Sequence, residues 1–136
     1  MPAWPEPAGP AVRLDHTVVH ASDRAVTAEF LAHVLGLTVE APFGPFLPVR
    51  LADGVTLDVY ELRGEPIQPQ HYAFLIPDAA FDAALARIRA LGVTHYADPA
   101  HTEPDAVNRL FGGRGVYFDA PDGHNLEIIT RTYTRP

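Results

Sequence analysis

The chain reads as an α+β fold of two tandem β-α-β-β-β modules, and three observations predict it. The segment HTVVHASD, opening at His16, is matched by HYAFLIPD, opening at His71, so each His stands seven residues before an Asp, Asp23 or Asp78, suited to capping a helix. Further along, DGVTLDV from Asp53 to Val59 is matched by DGHNLEI from Asp122 to Ile128, both D-G-x-x-L-acid-aliphatic with Asp58 or Glu127 as the acid. Between the two phrases of each half runs a stripe of apolar residues at helical spacing, closed by a glycine. A duplicated folding unit accounts for all three.

Taken in order, the opening MPAWPEPAGP carries four Pro in ten residues and offers little ladder hydrogen bonding, so residues 1–11 are expected as a flexible or extended arm. From Val12 to Ala21 the residues are β-branched and alternate as a strand does, with His16, Val18 and His20 on one face and Thr17 and Val19 on the other. Ser22 or Asp23 supplies an N-cap. Val26, Phe30 and Val34 then recur at helical spacing with Leu31 and Leu35 beside them, up to Gly36 at the left-handed C-cap position. Pro42 to Pro48 is a turn region, Val49 to Leu51 a short strand, Asp53-Gly54 a tight hairpin turn and Val55 to Leu62 another strand. Residues 12–62 make the first module, and RGEPIQPQ, 63–70, the linker.

The second module, 71–133, repeats the plan: strand His71 to Ile76, cap at Asp78, and a helix with Phe81, Leu85, Ile88 and Leu91 on one face, closed by Gly92. Tyr117 to Ala120 is a strand, Pro121-Asp122-Gly123 a turn and Asn125 to Thr132 the last strand. The remaining strand of each module leaves a weaker pattern. A connection of 19 residues from His95 to Gly113 has no counterpart of similar length in the first half and is a candidate lid, since long loops in compact domains are commonly functional.

Composition narrows the chemistry. At 136 residues and 47% hydrophobic content the chain can bury one substantial core without staples. It has no Cys, which excludes thiolate ligands, disulfides and a Cys nucleophile, and all ten basic residues are Arg, which excludes a Lys Schiff base. A formal charge of −7 leaves no basic stripe for nucleic acid, no apolar run reaches membrane-span length, and the N-terminus has no signal-peptide pattern, so a soluble cytoplasmic protein is the expectation.

What remains is metal-assisted chemistry on a small molecule. An approximate twofold between the modules would bring His16, Asp58, His71 and Glu127 together, the composition of a divalent-metal site. Two acids at equivalent places on apolar strands need a shared reason, because a buried carboxylate without a cation or donors is costly. His20 shares the strand face of His16 and is a candidate proton shuttle. Tyr60, two residues after Asp58, should face the same cavity and hydrogen-bond a substrate oxygen. Arg109 and Arg114 flank Gly112-Gly113 and could steer an anionic substrate. His124 falls off the ligand face and is read as structural, and His33 as a solvated helix residue.

With DHTVVHASD, FLAHVLGL, HYAFLIPD and GGRGVYFDAPDGHNLEIITR in view, the chain resembles the vicinal oxygen chelate superfamily, which includes glyoxalase I, extradiol ring-cleaving dioxygenases, fosfomycin-resistance enzymes and bleomycin-binding proteins. The resemblance covers Val12 to Tyr133 and is most specific from Gly112 to Arg131. It implies modules whose mixed sheets curve into the halves of a cup, with His16 and His71 as first-strand metal ligands, Glu127 as the last-strand carboxylate and Asp58 in the fourth slot. Asp is about 1.5 Å shorter in reach than the Glu of glyoxalase-like members, so Asp58 is either a fourth ligand or an outer residue facing substrate or orienting a ligand imidazole. Two His and one carboxylate favour Fe(II), with Mn, Ni, Co and Zn also compatible.

The resemblance therefore points to a metal-dependent enzyme chelating neighbouring substrate oxygens, leaning to a dioxygenase. Tyr117, Ala120, Pro121, Gly123 and Glu127 match the ring-cleaving tail, whereas the His expected before that Tyr is absent from Asn108-Arg109-Leu110-Phe111. A glyoxalase-type isomerase or lyase, with Glu127 or Asp58 moving a proton, is the alternative. A metal-free drug-binding pocket of the bleomycin-resistance kind is the third reading. A homodimer is expected from the same resemblance.

Overall fold

The computed structural model describes every residue except 2, 7, 8 and 10, on which part of the expected N-terminal arm falls. The two modules follow one another as the repeat predicts. In the first, β1 (His16–Ala21) leads through α1 (Arg24–Leu35) to β2 (Phe46–Arg50) and β3 (Thr56–Glu61). In the second, β4 (His71–Leu75) leads through α2 (Asp78–Ala90) to β5 (His95–Tyr96), β6 (Gly115–Asp119) and β7 (Asn125–Ile129). Each module forms its own mixed sheet, ordered β1-β3-β2 and β4-β7-β6-β5. The duplication extends to register: β1 pairs parallel with β3 and β4 parallel with β7, while β2 and β6 pair antiparallel with those same partners.

The helix boundaries have local causes. The Asp23 carboxylate accepts from the backbone N–H groups of Ala25 and Val26, satisfying two donors that α1 cannot satisfy internally, and Gly36 closes the helix at φ 70°. In α2 the expected cap at Asp78 is not formed. Asp78 is the first helical residue, Pro77 precedes it without a side-chain cap, and Arg114 instead bonds the Asp78 carboxylate and carbonyl and the Asp82 carboxylate. Proline at the cap has no side-chain acceptor, so the first turn is fastened from outside.

Both helices bury most of the expected stripe. In α1 Leu31 and Val34 are buried together with Thr27, Ala28 and Ala32, and Phe30 and Leu35 are partly buried, while Val26 is exposed; in α2 Phe81, Leu85 and Ile88 are buried together with Ala84, while Leu91, just past the helix end, is exposed. Ala28, Ala32 and Ala84 lie in the buried stripes, where their small side chains let the helices approach the sheets closely. Strand β2 starts inside the region expected as turn. The remaining strand of each module is short: two residues as β5, and in the first module only the bridge of Val39 to Val49.

One continuous core joins the modules, running from Val19, Leu31, Val49 and Val59 to Phe81, Ile88, Phe118, Leu126 and Ile128. Polar seams reinforce it. The Arg87 guanidinium donates to the Val34 carbonyl, Ser22 and Thr27 donate to Asp122, and buried His124 accepts from Gln70 N–H at 3.0 Å and donates to the His20 carbonyl at 2.7 Å. No helix among the described residues is long and apolar enough to cross a membrane.

Candidate functional site

Strand alternation decides which side chains leave the core. On β1, Val19 and Ala21 are buried and His16, Val18 and His20 are exposed; on β4, Tyr72 and Phe74 turn toward the core and His71, Ala73 and Leu75 are exposed. Side chains of one parity build the shared core and those of the other form two open sheet faces. His16 and Asp58 belong to the open face of the first module, His71 and Glu127 to that of the second.

In the second module His71 and Glu127 are neighbours. His71 Nδ1 lies 2.8 Å from the Asn125 carbonyl, which can only accept, so Nδ1 carries the proton and Nε2 is directed at Glu127 Oε1, 3.2 Å away. Glu127 is 1% exposed. Its other oxygen accepts from the Tyr133 hydroxyl, and Tyr133 lies 2.9 Å from the Tyr117 hydroxyl. Tyr117 stacks near His71 with centroids 6.0 Å apart, and Phe111 stacks on Tyr133 at 4.8 Å. Burial first, then the hydrogen bond to Tyr133 and the nearby Glu127 carboxylate, raises the Tyr117 phenol well above the ordinary tyrosine range, and burial with the Glu127 hydrogen bond raises Tyr133.

In the first module His16 Nδ1 lies 2.7 Å from Asp15 Oδ2, leaving Nε2 free. That hydrogen bond, followed by the Asp15 and Asp58 charges, raises the His16 pKa against partial desolvation. His16 and Asp58 line one open cavity of about 470 Å³ with Asp15, Glu40, Phe43 and Phe46. Tyr60, next to Phe46 and His20, borders a separate cavity with Arg24 and Glu61.

The donor types of the His71–Glu127 pair, an imidazole and a carboxylate, suit a divalent cation. Each candidate His anchors Nδ1 on an acceptor and presents Nε2, as ligand imidazoles held by an outer partner do. Ligand bonds near 2.1 Å put two donors about 3.0 Å apart at a right angle and about 3.4 Å apart at the tetrahedral angle, and the His71–Glu127 separation of 3.2 Å lies between. Without a cation or second imidazole proton, a nitrogen lone pair would face a carboxylate oxygen there.

The two pairs do not converge within one chain: among the described residues no group of three His, Asp or Glu side chains is arranged to share an ion. The expectation that the two modules of a single chain would assemble the set is thus not met, because they join through the faces opposite to those bearing the ligands. Arg114 is held by Asp78 and Asp82 over the Phe81 ring, so its guanidinium secures α2, while Arg109 borders a surface cavity with Arg131. His20 is exposed beside Tyr60, and His124 is structural as read.

The connection from His95 to Gly113 is built rather than loose. The Asp98 carboxylate accepts from Thr102 N–H, Thr102 hydroxyl and Glu103 N–H. His101 stacks on Tyr96 at 4.2 Å, and Asn125 bonds both His101 and the Pro99 carbonyl. Sequence reasoning missed Asp15, Asn125, Phe111 and Tyr133 as parts of the site. Adjacency to His16 was the available signal for Asp15; Tyr133 follows the last strand and has no counterpart in the repeat.

No family model matches the chain. Among solved structures, the oxidase ChaP-H1 is 52% identical, the match covering 92% of this chain and 100% of that one at a TM-score of 0.88. The oxidase ChaP-H2 is 51% identical, covering 90% and 96%, at 0.87. A mutant of the fosfomycin resistance protein FosX from Listeria monocytogenes, complexed with Mn(II) and a dihydroxypropylphosphonic acid, is 25% identical, covering 88% and 90%, at 0.66.

Proposed function

The chain belongs to the vicinal oxygen chelate superfamily, and from that premise we propose that it is a divalent-metal enzyme of the oxidase or dioxygenase type. The observation that carries this reading is the His71–Glu127 pair, whose imidazole is fixed by Asn125 and whose carboxylate is buried without an Arg partner. His16 completes the set from a second copy of the chain, since both ligand-bearing faces are open in one copy. The half-identical relatives named oxidases support the oxidative branch, and the Mn(II) complex of FosX supports a divalent ion.

His16, His71 and Glu127 would hold Fe(II), or Mn, Ni, Co or Zn in its place, which when bound supplies a Lewis-acid centre with open positions for two neighbouring substrate oxygens. Asp15 and the Asn125 carbonyl orient the two imidazoles. Phe43 and Phe46 give the open His16 cavity apolar walls suited to a flat substrate. Asp58, in that cavity, is positioned to accept a proton from a substrate hydroxyl, whereas His20, farther along β1, shares another cavity with His71, and Tyr60, farther along β3, borders a third.

Reconstitution with Fe(II) under anaerobic conditions, followed by oxygen-electrode assays on a panel of aromatic vicinal diols, tests the proposal. Oxygen uptake matched to substrate loss, and abolished by His71→Ala and Glu127→Gln, is expected. The closeness of Asp58 to His16 favours a second reading, a glyoxalase-type isomerase. Turnover of a glutathione hemithioacetal, with no oxygen uptake on any diol, would select it.

A further inference from the structure

We propose that the C-terminal tail is part of the metal site: Tyr133 is a positioning residue that fixes Glu127 so that Oε1, and not Oε2, faces the cation. The inference rests on the metal-binding reading above and deepens it. Glu127 has two oxygens in different surroundings. Oε1 lies 3.2 Å from His71 Nε2, while Oε2 accepts from the Tyr133 hydroxyl. A carboxylate can only accept, so the single Tyr133 proton is committed to it, and Tyr117 must be the donor across the 2.9 Å contact to Tyr133. The hydroxyls therefore form a directed chain, Tyr117 to Tyr133 to Glu127, that ends on one carboxylate oxygen.

The tail is held where this chain requires it. Strand β7 ends at Ile129, and the segment after it returns so that Tyr133 stacks on Phe111 at 4.8 Å with the Arg135 guanidinium 5.8 Å from its ring. Phe111 has φ 56°, a left-handed conformation that costs a bulky residue energy and marks a turn held by its surroundings. Phe111 of the loop and Arg135 of the tail thus both contact the phenol ring. A carboxylate with its second oxygen tied back binds through one oxygen and leaves a coordination position for substrate; freed of that bond it can rotate or chelate through both.

Mn(II) titration of the full-length protein, followed by the electron paramagnetic resonance signal of the free ion, tests this, together with the visible spectrum of the Co(II) form. Tyr133→Phe keeps the ring on Phe111 and removes only the hydroxyl. It should weaken Mn(II) binding about ten- to a hundredfold, as loss of an outer partner does, and alter the Co(II) bands; truncation after Thr132 should do the same. Tyr117→Phe, which leaves the Tyr133 proton on Glu127, should have a smaller effect. If Glu127→Gln abolishes Mn(II) binding while both tail variants keep the wild-type affinity and Co(II) spectrum, the tail has no such role and the metal site stands without it. If the wild-type protein takes up no Mn(II) or Co(II), both readings fall.

Discussion

His124 and Glu127 sit three residues apart, are equally buried at 1% exposure, and meet opposite fates. Both ring nitrogens of His124 are satisfied by backbone groups, one in β1 and one in the linker residue just before β4, so it holds the end of β1 to the segment entering β4. His124→Leu leaves the Gln70 N–H and the His20 carbonyl without partners, at about 1–3 kcal/mol for each orphaned group, a loss measurable by urea denaturation. His95 is buried too, with Nε2 unpartnered among the described residues. Burial and then the Arg89 charge hold its imidazole below the usual 6.5. A His whose folded pKa is depressed adds stability above its unfolded pKa and loses it as pH falls through 6.5 toward the folded value. Stability should therefore decline as pH falls below about 6.5, and His95→Phe should flatten that slope; an unchanged slope would contradict the assignment. Pairing by type and repeat singled out His16, His71 and Glu127 in the sequence as the proposed ligands, and the structure brings two of them, His71 and Glu127, together. The contact of Tyr133 with Glu127 left no such signal, because it depends on how the tail folds back.

At the scale of elements, the strands and helices could be read because each carries its own periodicity and punctuation. Asp23 and Gly36 mark the ends of α1 as the capping pattern expects, since a cap is a local event. The buried stripes could not be read as well: which of several apolar residues faces inward depends on the neighbouring module, and Val26 faces a surface groove with Leu91 and Pro121 instead of the core. The connection from His95 to Gly113 was expected as a lid from length alone, whereas its order comes from Asp98. The Thr102 hydroxyl and the Thr102 and Glu103 amides hold the Asp98 carboxyl below its ordinary range. Asp98→Ala should accelerate amide hydrogen exchange at Thr102 and Glu103 by an order of magnitude or more while α2 stays protected. Unchanged exchange there would mean that the stack of His101 on Tyr96 orders the loop alone.

For the whole molecule, the arrangement of modules matters more than either module. Sequence duplication revealed two equivalent units, but two units can join by either face, and repeat patterns alone do not distinguish the options. The modules join through their helices and core-facing strand residues, which leaves His16 on one open face and His71 with Glu127 on another. The proposed function has a ligand set divided in this way completed by association with a second copy, and exposed apolar residues such as Val18, Phe43 and Leu75 are available for cover. The most direct test uses differently tagged His16→Ala and His71→Ala chains, co-expressed and purified as the mixed pair. Neither variant should hold Mn(II) on its own, whereas the mixed pair, which joins one intact His16 to one intact His71 across chains, should bind one ion per dimer. A mixed pair that binds none, beside a wild-type protein that binds its full complement, would contradict an intermolecular site.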